Sequence, residues 1–192
     1  MNAAQLNVRH HKKSQMHTLL VIVLILIGSS ASAGTPSSAA GNECAKPSPG
    51  SVMHACEAQN AETLYQSGHD GDRWIDCEEM SGHHGTAGYG VAVFFASEAR
   101  PYWQEEIRLH LNSLRQQLPK QKFTSIQREQ SKWERSLPKL ISRAQRSVGR
   151  EGGTLAMYTG EGNAMRVVRK RALALACTLE QSRSNVGNKG RP

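Results

Sequence analysis

IRLHLNSLRQQLP, Ile107–Pro119, carries apolar side chains at Ile107, Leu111, Leu114 and Leu118, the positions i, i+4, i+7 and i+11. That spacing lines one face of an α-helix, and Pro119 ends it. The stretch that follows repeats the pattern through Phe123, Ile126, Gln130, Trp133, Leu137, Leu140 and Ala144. Pro138 interrupts it, and an interior proline costs about 3 kcal/mol, so a kink or a break into two helices is predicted there. The glycines between Gly149 and Gly153 end this segment, and Thr154 is well placed to cap the next helix. In that last helix Ala164, Val168, Ala172, Leu175 and Leu179 form a buried stripe. RVVRKR, 166–171, gives the same helix a basic face of Arg166, Arg169 and Lys170. The fold class expected is therefore mainly α: a small helical bundle stapled by disulfides, with a Gly-rich loop insertion.

Toward the N-terminus the pattern weakens. Val52 to Tyr65 suggests a short helix closed by Ser67-Gly68, whereas Gly68 to Gly90 holds six glycines without helical period and reads as loop. VAVFFA, 91–96, fits a buried strand or a first helical turn equally well. GTPSSAAGN, 34–42, has nothing to bury and is expected to be a disordered leader. Before it, a basic stretch at Arg9, Lys12 and Lys13, the apolar run LLVIVLILIG and the small residues Ala31-Ser32-Ala33 read as an export signal over 1–33. Such a run is short for a membrane span. A single domain over 43–180 and a flexible basic tail over 181–192 complete the expected organisation.

The formal charge of +8 divides unevenly. Without the three cations of the export signal it is +5; residues 34–106 hold 11 acids and 3 bases, and residues 107–192 hold 18 bases and 5 acids. An acidic half joined to a basic half favours docking of one on the other, or capture of a charged partner. All four cysteines, Cys44, Cys56, Cys77 and Cys177, follow the signal, and in an oxidising compartment an even count is most simply two disulfides with three possible pairings. At about 100° per residue Cys177 lies opposite the buried stripe and near Arg166 and Lys170. The acidic stretch around Cys77 suits that face in charge, so Cys77–Cys177 is expected, leaving Cys44–Cys56 to close a small loop.

GHDGDRWIDCEEMSGHHG, 68–85, gathers the residues with most chemical potential. His69, His83 and His84 suggest a metal, yet adjacent histidines rarely reach one ion from a loop, and the nearby thiol serves a disulfide better. Glu78 and Glu79 are neighbours and point in different directions, which does not suit paired acid and base work. There is no GxSxG elbow and no phosphate loop ending in GK[ST]. The chain is thus expected to be no enzyme and to need no cofactor. Export also removes nucleic acid as a partner for RVVRKR, leaving the protein's own acidic stretch, anionic lipid or a cell-wall polymer.

Two blocks of the chain resemble the LprI-type lysozyme inhibitor family, small exported proteins of bacteria. In CAKPSPGSVMHACEAQN the residues Cys44, Met53 and Cys56 match its spaced cysteines and methionine. Farther on, Leu111-Asn112 resembles its LN pair, Gln130 and Trp133 its Q-x-x-W, Gly152-Gly153-Thr154 its GG[ST], and Arg171 and Leu173 its C-terminal arginine and leucine. ERSLPKLISRAQ and LAMYTGEGN stand where the family has its third and fourth cysteines, so its disulfide scheme does not carry over, and 66–104 reads as an insertion. The resemblance implies a helical, disulfide-stapled periplasmic or secreted protein that inhibits lysozyme. The insertion would then present Asp70, Asp72, Asp76, Glu78, Glu79 and the aromatic Tyr89 to a cationic cleft. The runner-up is an envelope-surface or scaffold protein working through Arg166, Arg169 and Lys170, and a third reading is metal binding at the histidines.

Overall fold

The computed structural model describes residues 44–82, 88–148 and 152–188, all within one unit of residues 40–192. Six α-helices follow in order: α1 Ala55–Asn60, α2 Asp70–Ser81, α3 Tyr89–Phe94, α4 Arg100–Gln117, α5 Lys120–Arg146 and α6 Thr154–Asn188. A 3-10 turn over Tyr65–Ser67 precedes α2, and a π-helical turn over Phe95–Ala99 joins α3 to α4. Among the described residues there is no strand. The export signal, the leader and Glu43 lie outside them, as do 83–87.

Helix α6 is the support on which α1, α3, α4 and α5 pack. Its sequence permits this because its buried hydrophobic residues, Ala164, Met165, Val168, Ala172, Leu173, Leu175, Ala176 and Leu179, include three alanines that let neighbouring backbones come close. The expected stripe is buried, and Met165, Leu173 and Ala176 widen it. Trp103 and Leu114 of α4 are fully enclosed, with Phe94 and Phe95 above them. Trp74 of α2 meets Phe94 edge-on at 5.4 Å, and Tyr102 meets Trp103 edge-on at 5.1 Å.

Among the described residues, the loop expected over Gly68–Gly90 is mostly helix, and so is most of the segment 66–104 that the resemblance reads as an insertion. The helix α2 begins because His69 acts as its cap, Nδ1 accepting the Gly71 N–H at 3.1 Å, and because Asp70 and Asp72 sit in a first turn where the helix dipole favours acids. Gly82, at φ 64°, ends it in the left-handed conformation that glycine adopts freely. Gly71 is required inside it, since a Cβ there would stand 2.6 Å from a ring carbon of Tyr102. VAVFFA falls in α3 and the π-helical turn, so the helical alternative holds.

Three further expectations need correction. First, of the kink or break expected at Pro138, the break into two helices does not occur, since α5 runs through it as one helix; the proline is exposed, so the carbonyl it leaves without an N–H donor can meet water. Second, the tail expected from residue 181 is helical as far as Asn188, because α6 continues to there, with the Ser182 and Ser184 hydroxyls donating to the Leu179 and Glu180 carbonyls. Third, the disulfides are Cys44–Cys77 and Cys56–Cys177, with Cα separations of 5.8 and 4.5 Å. The face of α6 at Cys177 is covered by α1, not by α2, and Cys56 in the first turn of α1 meets it there. The Cys56 N–H also donates to Glu180 at 3.1 Å. Cys77 instead faces the extended segment 44–50, which Lys46 ties to Glu98 at 2.7 Å and Gly50 to Glu106 at 3.0 Å.

Candidate functional site

Asp72 is the acidic residue that fixes α2. It is fully buried, and Arg169 of α6 donates to both its oxygens at 2.6 Å while giving a further hydrogen bond to the Ala58 carbonyl at 3.0 Å. One guanidinium thereby joins α1, α2 and α6 by bidentate geometry. The acidic segment does dock on the last helix, as its charge predicts, although through an ion pair and not through Cys77. Two expectations fall with this: Asp72 is closed to any partner, and Arg169 is no part of an open basic face. Arg166 and Lys170 remain exposed.

Glu79 also turns inward, accepting from the Tyr158 hydroxyl. Burial, and after it this hydrogen bond, pushes the Tyr158 pKa up to about 12, against a smaller opposing pull from Arg166. Tyr102 moves the same way, chiefly through burial and then through Glu106. Raised values in the folded state mean that the protonated hydroxyls favour folding. Their contribution is whole below the ordinary value of 10.0 and for Tyr158 is lost as pH rises through about 12. In alkaline titration between those values, Tyr158→Phe should lose less stability than the parent, and ultraviolet absorbance should show one fewer late-ionising phenol.

Tyr102, Glu106 and His110 form a second interior cluster. The Tyr102 hydroxyl donates to Glu106 Oε1 at 2.7 Å, His110 Nε2 stands 2.8 Å from Oε2, and the Gly50 N–H closes the group at 3.0 Å. All three side chains are buried, so their carboxylate and imidazole serve the fold internally. At the junction of α4, α5 and α6, Arg171 donates to Gln130 at 2.8 Å, and Gln130 to Glu134 at 3.0 Å. Burial lowers the Arg171 pKa. Gln130, the buried residue of α5, and Leu111-Asn112 line a groove of about 680 Å³ there. Residues far apart in sequence that carry the resemblance, Leu111, Asn112, Gln130 and Arg171, thus lie at one junction.

The outer side of α2 faces solvent. Asp70 is exposed in the first turn, 4.0 Å from Arg73, and Asp76 lines an open concavity of about 700 Å³ with Tyr65, Arg73 and Met80. Tyr65 is 79% and Met80 80% exposed, and the two line the same concavity. Sequence reasoning missed both, since neither belongs to a motif; only the helical spacing of Asp76 and Met80, i and i+4, places them on one face. Glu78 lies instead on the side toward Cys44, Lys46 and Trp74, and Tyr89 opens α3 half-exposed. His69 is enclosed, its ring 5.3 Å from Trp103, whereas His83 and His84 lie outside the described residues. Among the described residues no three His, Cys, Asp or Glu side chains converge to hold a metal.

Comparison with protein-family models, curated proteins and solved structures finds no match. The functional reading therefore rests on the residues themselves. Two disulfides fit an oxidising compartment, and no described helix is long and apolar enough to cross a membrane.

Proposed function

We propose that the chain is an exported, non-enzymatic binding protein whose target is a cationic protein, and that this target is lysozyme, as the resemblance implies. The observation that carries the reading is the exposed pair Tyr65 and Met80 beside Asp76. Large apolar side chains held in water on a fixed backbone are the usual anchors of a protein interface. Here Cys44–Cys77 and the Asp72–Arg169 pair hold that backbone. Asp70 and Asp76 supply charge complementary to a basic partner, in the half of the chain where acids outnumber bases 11 to 3. The meeting of Leu111, Asn112, Gln130 and Arg171 at one junction supports the resemblance itself.

The test is lysis of a bacterial cell-wall suspension by c-type and g-type lysozymes with increasing amounts of the oxidised protein. Saturable inhibition of one enzyme is expected. Tyr65→Ala or Met80→Ala should then weaken it about 30-fold, the effect of losing an interface anchor of about 2 kcal/mol. Asp76→Lys should lower the association rate most at low salt. Undiminished lysis by both enzymes at excess protein would overturn the proposal.

A further inference from the structure

The outward face of α5 bears one sign of charge in one line. At about 100° per residue, Arg128, Lys132, Arg135, Lys139, Arg143 and Arg146 fall within an arc of about 80°. Between 128 and 146 that arc holds no other residue type. Ile126, Gln130, Leu137 and Ala144 lie on the opposite side, toward the bundle. All six cations are exposed, and none forms an ion pair among the described residues. The two acids of α5 stand off the arc, Glu129 at its margin and Glu134 at the groove shared with α4.

Successive cations are three or four residues apart, so each repels the next, and such like-charged neighbours destabilise a helix. A face that needed only to be wet would interleave acids, as α4 does where Glu105 meets Arg108 at 2.5 Å. The array therefore works against the helix that carries it, and an anion laid along it would remove that repulsion. Its shape defines the anion. The line is one cation wide and, at 1.5 Å per residue, about 27 Å long. No apolar side chain on the arc could enter a bilayer, and no aromatic ring there could stack on a base. Four of the six are arginines, whose planar forks bind phosphate through two parallel hydrogen bonds.

We propose that the outer face of α5 is a binding track for a linear, phosphate-rich polymer, one extended polyanionic strand lying along the helix. This site is separate from the α2 face and independent of the lysozyme reading. Linear inorganic polyphosphate is the probe, titrated into the oxidised, exported protein between 50 and 200 mM salt. Six phosphate contacts at the single-strand value give a log–log slope of about −4, hence about 250-fold weaker binding across that range. Replacing all six residues by glutamine should abolish the slope and weaken binding more than about 100-fold at the lower salt. The same variant should melt at a higher temperature than the parent, which also shows that it folds. Replacing Arg115, Lys122, Arg166 and Lys170 by glutamine, off the track, should leave the affinity within about threefold, because those cations contribute only the screened field of the surface. Equal losses in the two variants would overturn the proposal, since net charge alone would then explain the binding. It would equally fall if vesicles rich in phosphatidylglycerol, or a DNA duplex, bound the parent while polyphosphate did not.

Discussion

Replacing Arg169 by methionine is expected to lower the unfolding free energy by about 3–5 kcal/mol, read as a shifted denaturation midpoint with an unchanged slope. The change leaves Asp72 fully buried with no counter-charge and the Ala58 carbonyl without its donor. Uncompensated burial of that kind is far more harmful than loss of the attraction itself. The double change Arg169→Met with Asp72→Leu should accordingly recover much of the loss, because apolar groups in place of a buried pair are often tolerated. A single change costing under about 1 kcal/mol would mean that water reaches the pair.

Removal of Cys56–Cys177 is expected to destabilise by about 5 kcal/mol, and removal of Cys44–Cys77 by about 4 kcal/mol, on the chain-entropy account of cross-links. The order follows from sequence separations of 121 and 33 residues. Cys56→Ala with Cys177→Ala should thus melt below Cys44→Ala with Cys77→Ala. Peptide mapping without reduction checks the pairing directly: a fragment linking Cys56 to Cys177 is expected, and one linking Cys77 to Cys177 would contradict it.

The C-terminal half was legible because its helices obey a simple rule: one face packs and the other is wet. Ile107, Leu114, Val168 and Leu179 are buried where their spacing places them. The half before it hides the same rule behind glycine. Gly71 and Gly82 look like loop residues, yet one allows Tyr102 to approach and the other ends a helix. The start of α2 was nevertheless visible in Asp70 and Asp72 after His69, acids where a helix dipole wants them. Pairing of the cysteines was not legible, because it depends on which element covers the far side of α6, and periodicity gives only the direction in which Cys177 points. Among the candidate residues the sequence supplied charge but not accessibility: Asp70 and Asp76 face out while Asp72 and Glu79 bond inward. That division is set by the rotation of α2 about its axis, which Trp74 and Ile75 determine by entering the core.

Among the described helices, the one on which nearly everything else packs is also the one that follows the others in sequence. A polypeptide delivered in N-to-C order exposes α1, α3, α4 and α5 before α6 exists to receive them. Cys44 and Cys77 can meet early, whereas Cys56 must wait for Cys177. Val168, Leu173 and Leu179, which α6 brings to the core, are missing until then. Folding is therefore an event of completion, and a premature stop anywhere before residue 154 yields helices without a common core.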